Sequence, residues 1–114
     1  MNVQLRNTDN QIVKDYIEAG DLRLNTKTTN LLCTTTNESI DIVCKEFLLL
    51  EYFMRNPGQT LSREKIYEKV WWFESDAESN NLEAYLSFVR RKIKIIGSSV
   101  QIKAVRGLGY KLEI

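Results

Sequence analysis

A chain of 114 residues, 43% hydrophobic and 27% charged, can close one hydrophobic core but hardly two, so a single small globular domain is predicted. No apolar run approaches the roughly 18 residues that cross a bilayer, and Met1 to Arg6 lacks the apolar core of a secretory signal, so a cytoplasmic protein is expected. The net charge of +1 conceals an asymmetry, because residues 80–114 hold seven Lys/Arg against two Asp/Glu and residues 1–79 hold nine against thirteen. A cationic C-terminal third on an acidic body points toward a polyanionic partner, although a solvated cationic face is the plainer alternative. Cys33 and Cys44 lack a metal-type spacing, and a chain with no histidine is short of soft ligands for zinc. Both cysteines are read as buried, reduced packing residues, and no metal or cofactor is expected.

Residues 1–12 are polar with isolated aliphatics and read as a linker or tail, leaving 13–114 as the domain. From Asp15 to Val43 come short runs, Tyr16-Ile17-Glu18, Leu22-Arg23-Leu24, Thr28 to Thr35 and Ile40-Asp41-Ile42, broken at Gly20-Asp21, Asn25 and Asn37-Glu38. They predict an antiparallel sheet of three or four strands. In the threonine-rich stretch, Leu31, Leu32 and Cys33 favour a strand over a polar loop.

Lys45 to Arg55 switches to helical period, with Phe47, Leu50 and Met54 on one line and Leu49 and Phe53 beside it. An arc that wide predicts the central core helix. Asn56-Pro57-Gly58-Gln59 stops it, with proline fixing the second turn position and glycine tolerating positive φ at the third. A second helix is expected from Ser62, whose hydroxyl can cap it, with Leu61, Ile66 and Val70 on its buried side. Trp71 is read as core, and Trp72 to Ser79 as an aromatic, acidic loop.

The third helix begins near Asn80. Leu82, Leu86, Val89 and Ile93 fall on one stripe at about 100° per residue, which requires a core beneath them. Asn80, Ala84, Ser87 and Arg91 occupy the opposite side, flanked by Arg90 and Lys94, and offer small and cationic side chains able to enter a groove between phosphates. After Gly97-Ser98-Ser99, Val100, Ile102 and Ala104 alternate with Gln101 and Lys103, and Tyr110, Leu112 and Ile114 alternate again beyond Arg106-Gly107-Leu108-Gly109. This is a β-hairpin. The fold class is therefore α+β, a winged helix-turn-helix with an N-terminal antiparallel sheet, three helices and a C-terminal β-hairpin wing.

Four segments in this order resemble the winged-helix output domain of OmpR/PhoB-type response regulators of two-component systems. They are Lys45-Glu46-Phe47-Leu48-Leu49-Leu50 with Asn56-Pro57-Gly58, Leu61-Ser62-Arg63-Glu64 through Val70-Trp71, Leu82 to Ile93, and Val105-Arg106-Gly107-Leu108-Gly109-Tyr110. The resemblance spans Asp15 to Ile114. It implies a bacterial transcription factor that binds double-stranded DNA at tandem, head-to-tail half-sites, with the third helix in the major groove and the wing near the minor groove. It further implies an N-terminal receiver domain phosphorylated on aspartate through a sensor kinase, and residues 1–12 as the end of the linker from it. Nothing in this chain resembles that receiver. The loop holding Trp72 and Phe73 corresponds to the segment thought to meet RNA polymerase in some relatives, though packing serves those aromatics equally.

The chain departs from the family at several positions. Val43 stands where a capping threonine is usual, which leaves Asp41 as a substitute acceptor. Asn80 and Asn81 replace an Arg-Thr pair, Trp72 replaces glycine, Tyr85 replaces histidine, and Phe88 replaces an arginine common in relatives. Phe88 is open to two readings, packing against the wing or touching thymine methyls. Asn80 can cap the third helix or contact DNA, and Ser87 can reach a base edge or merely let the duplex approach.

The candidate DNA-binding set is thus Arg63, Asn80, Asn81, Ala84, Ser87, Phe88, Arg90, Arg91, Lys94, Lys103 and Arg106. Arg63 would meet the backbone at a positive helix end, Lys103 a phosphate, and Arg106 a narrow A·T-rich minor groove. Catalysis is poorly supported, because no histidine serves as base, no phosphate-cradling loop occurs, and Gly107-Leu108-Gly109 is too short for a nucleotide fingerprint. The alternative is a winged-helix module that binds protein, a polymerase or a receiver, without reading bases.

Overall fold

The computed structural model describes residues 15–71 and 81–114. Strands β1 (Tyr16–Ala19), β2 (Leu22–Asn25), β3 (Asn30–Cys33) and β4 (Glu38–Asp41) form an antiparallel meander in the order β1-β2-β3-β4. Period-two alternation sends Leu22, Leu24, Leu31 and Cys33 into the core. On the other face Arg23 pairs with Glu18 directly opposite and lies over the Tyr16 ring. The threonine-rich strand is shorter than expected. The Asn25 side chain accepts from the Lys27 and Thr28 amides, Thr29 takes φ 60°, and Asn37 takes φ 63°, so local bonding converts the flanks into turns.

Helix α1 (Cys44–Arg55) packs against β1 and the remaining helices, burying Leu49, Leu50, Phe53 and Met54. Gly58, at φ 80°, completes the turn that ends it. Two expectations fail at the start of this helix. Asp41 does not cap it, because the β3–β4 register holds Asp41 opposite Asn30, whose side-chain amide donates to the carboxylate at 3.1 Å. Val43 is the capping position and makes no side-chain bond there. Cys44 is exposed rather than buried, since the first residue of the helix faces solvent, whereas Cys33 is buried as expected.

Helix α2 (Arg63–Val70) is capped by Ser62, whose hydroxyl accepts from the Lys65 amide at 3.1 Å, and it buries Ile66 and Val70. Trp71 is core. Helix α3 (Asn81–Ile95) lays Leu82, Leu86, Val89 and Ile93 against the interior, the first three fully buried. Strands β5 (Gln101–Val105) and β6 (Gly109–Glu113) form the hairpin, with Ile102 opposite Leu112. The Trp72 to Ser79 loop and Asn80 lie outside the described residues. Among the described residues no helix is long and apolar enough to cross a membrane.

The sheet is bolted to the base of the hairpin through Asp21. Its carboxylate accepts from Ser98 and from the Cys33 thiol, and Thr36 donates to the Ile96 carbonyl nearby. Burial opposes ionisation of Asp21, but bonds from Ser98, Cys33 and Thr35 prevail and hold its pKa below the usual value.

The orientation of α3 is checked by a paired substitution. Leu86→Ala should cost about 2–5 kcal/mol in urea unfolding, whereas Ser87→Ala should stay within about 0.5 kcal/mol. Equal losses would mean that the helix is rotated from the orientation described.

Candidate nucleic-acid interface

Because the aliphatic seam of α3 is fully committed to the core, the residues half a turn away face out. Ala84, Ser87, Phe88, Arg91 and Ile95 are all exposed. They share one stripe along the helix, with Arg90 and Lys94 on the flank nearer the hairpin. On the far flank Lys92 is withdrawn from the surface. Its ammonium donates to Glu46 at 2.7 Å and to the Asp41 carbonyl at 2.9 Å, tying α3 to the start of α1.

The hairpin is fixed beside this face by three devices. The Leu61 amide donates to the Tyr110 carbonyl at 2.7 Å and the Tyr110 amide to the Leu61 carbonyl at 3.0 Å, so the segment before α2 adds a short third strand to β6. Gly109 allows that approach, because a Cβ there would run into the Leu61 carbonyl. Arg90 supplies the second device, since its Nε donates to the Ile102 carbonyl at 2.9 Å and its guanidinium lies 5.9 Å from the Tyr110 ring centroid. The third is Glu83, whose carboxylate accepts from Arg63 at the start of α2 and from the Tyr110 hydroxyl at 3.0 Å. One acid thereby joins α2, α3 and the hairpin.

Neither Glu83 nor Tyr110 stands out as functional in the sequence. An acid in the first turn of a helix is ordinarily explained by the helix dipole, and its partners lie 20 and 27 residues away. Burial works against the Glu83 carboxylate, yet the bonds from Arg63 and Tyr110 outweigh it and lower its pKa. Burial and the Glu83 bond raise the Tyr110 pKa, and the Glu83 bond raises that of Arg63.

The predicted residues therefore separate into two groups. Arg91, Lys94 and Arg106 are exposed and have no hydrogen bond or ion pair among the described residues. Arg63 is paired with Glu83, Arg90 is bonded to β5, and Lys103 lies 3.3 Å from Glu113. Pairs this exposed are weak and can be exchanged for a stronger anion. Phe88 has an aromatic neighbour on its own helix. Its ring stands edge-on to Tyr85, centroids 5.8 Å apart, on the flank opposite Arg90. Trp72, Phe73 and Asn80 lie outside the described residues, and so does the side chain of Asn81.

Residues 37–112 match the family described as transcriptional regulatory protein, C terminal. The chain belongs to this family. It is the OmpR/PhoB-type C-terminal domain that the four sequence segments resemble. Among its relatives is the transcriptional regulatory protein DltR of Streptococcus agalactiae, 33% identical over 112 residues, which are 97% of this chain and 49% of DltR. The chain thus spans about half the length of that regulator. Among solved structures, the C-terminal domain of the lantibiotic response regulator NsrR superposes with a TM-score of 0.72 at 28% identity, covering 86% of this chain and 97% of that one. The DNA-binding domain of the response regulator AdeR, solved with an intercistronic region, shares the fold at a TM-score of 0.72 and 19% identity, covering 84% of this chain and 97% of that one.

In this OmpR/PhoB-type domain the Glu83 junction predicts an acid-sensitive contribution to stability. With the folded pKa depressed, the contribution is complete above the ordinary glutamate range of about 4.3 and is lost as pH falls through the lowered value. The gap in urea midpoint between the native chain and Glu83→Gln should be widest near neutral pH and close as pH falls below the ordinary glutamate range. A gap that stays constant over that range would remove the carboxylate from the junction.

Proposed function

We propose that this chain binds double-stranded DNA in a sequence-specific manner, as the output domain of a two-component response regulator controlling transcription. The observation that carries this reading is the exposure of Ala84, Ser87 and Arg91 on α3 and of Arg106 in the turn of the adjoining hairpin, all free of competing ion pairs among the described residues. Family membership supports it, as do the relatives' descriptions as transcriptional regulators. In this reading α3 enters the major groove, where Arg91 meets a base edge and Lys94 a phosphate. Arg106 enters the flanking minor groove, whose negative potential is greatest where A·T pairs narrow it. Arg63 and Lys103 exchange their surface carboxylates for phosphates.

The remaining half of a full-length regulator would be a receiver domain, phosphorylated through a sensor kinase in the cytoplasm. Residues 1–12 would then form the linker and 13–114 the DNA-binding unit. Two such units would occupy tandem half-sites.

Selection of bound sequences from a random duplex pool tests the reading directly, with enrichment of a repeated half-site as the expected result. If each domain neutralises about four to six phosphates, log affinity should fall against log salt with a slope near −4 to −5. A flat dependence contradicts the proposal. On the selected site, Arg91→Ala should lose about 1–3 kcal/mol of discrimination between bases. Lys94→Ala should weaken all duplexes alike and reduce the slope by about 1, and Arg106→Ala should abolish preference for A·T-rich flanks.

A further inference from the structure

The outward stripe of α3 is less cationic than its composition suggests. Between Ala84 and Arg91, at the middle of the helix, it presents the phenyl ring of Phe88, which is 41% exposed. A single exposed aromatic is unremarkable in itself, but this one is the end of a stacked row that starts in the core. Phe88 stands edge-on to Tyr85 with an interplanar angle of 86°, and Tyr85 stands edge-on to Trp71 at 65° with centroids 5.8 Å apart. Trp71 is buried and rests against Tyr67, centroids 4.9 Å apart. The ring is consequently held in place before any ligand arrives, and little side-chain freedom remains to be lost on contact. Its neighbours Ala84 and Ser87 are small enough for the helix to approach a groove floor closely.

A phenyl ring pressed against the major-groove edge of guanine, adenine or cytosine covers polar atoms without replacing their water partners, which is unfavourable. Thymine alone offers an apolar group there, the C5-methyl. Resting on the DNA-binding reading above, we propose that Phe88 is a specificity-determining residue that packs on the C5-methyl group of one thymine per half-site, with Tyr85 as its positioning residue. The site read by this chain then contains a thymine whose methyl group, rather than its hydrogen-bonding pattern, is what counts.

The test uses the intact chain on the duplex enriched from the random pool, with each thymine replaced singly by uracil, which deletes only the methyl. One uracil position per half-site should weaken binding roughly three- to fivefold, the factor expected for one buried methyl group. The penalty should vanish in Phe88→Ala, shrink in Tyr85→Ala and persist in Tyr85→Phe. Cytosine at that position should bind worse than 5-methylcytosine. Enriched, salt-dependent binding with a flat uracil scan overturns the role of Phe88 alone, as does a uracil penalty of equal size in Phe88→Ala. A pool that enriches no sequence overturns the DNA-binding reading and this inference with it. Because Phe88 lies outside the buried core, Phe88→Ala should lower the urea midpoint only slightly and still unfold in one cooperative transition, so a loss of discrimination is not a loss of fold.

Discussion

Burial of Leu82, Leu86, Val89 and Ile93 is the constraint from which the other features of this domain follow. Four aliphatic side chains on one stripe remove enough apolar surface from water to fix the rotation of α3 about its axis, at roughly 1.5–3 kcal/mol for each. Once that rotation is set, helical geometry leaves no choice about the opposite side. Ala84, Ser87, Phe88 and Arg91 must face outward. The helix is supported by α1 beneath it, which is apolar over a wide arc because it also touches β1, α2 and β6. A slip of one residue in α3 would carry Arg90 toward the interior and Val89 out of it, and among the described residues no acid is buried in the core to receive a cation.

Rotation alone does not make a two-part surface, because the hairpin must also be held at a defined place beside the helix. Burial of Val100, Ile102 and Leu112 anchors it to the core, and polar contacts add direction. The backbone pairing of Leu61 with Tyr110, the bond from Arg90 to the Ile102 carbonyl and the shared acid Glu83 each cross between elements. Their charges are largely solvated and individually worth little. What they confer is position. Arg90 illustrates the distinction, since a cation on the flank of the helix that would serve as a phosphate ligand is instead engaged with an edge carbonyl of β5. Lys92 does the same on the other flank with Glu46 and Asp41. Of the cations on α3 and the hairpin, Arg91, Lys94 and Arg106 are the ones left without hydrogen bond or ion pair among the described residues, so an anion meets them with no partner to displace.

Legibility in the sequence follows the range of the forces involved. The three helices, the Ser62 cap, the Pro57-Gly58 turn and the alternation of β5 and β6 rest on residues within a few positions of one another, and those elements appear where the pattern puts them. The threonine-rich segment was harder, because Asn25 and the threonines bond to nearby backbone and shorten β3 to Asn30–Cys33. Asp41 and Cys44 went astray for a related reason. A capping acid is suggested by its proximity along the chain, but the register of β4 against β3 had already engaged it with Asn30.

By itself, the amino-acid sequence determined the order of elements, the face of α3 that must be buried, the cationic bias of the C-terminal third and the glycines of the hairpin turn. These are properties of period, composition and local stereochemistry, and no distant residue is needed to specify them. The tertiary structure alone decided which cations remain unpaired, that Glu83 joins α2, α3 and the hairpin, and that the Phe88 ring stands at the end of a row running through Tyr85 to the buried Trp71. Each of these depends on groups brought together from separate elements, and the directions of side chains across such junctions are set by packing geometry that no spacing rule along the chain encodes.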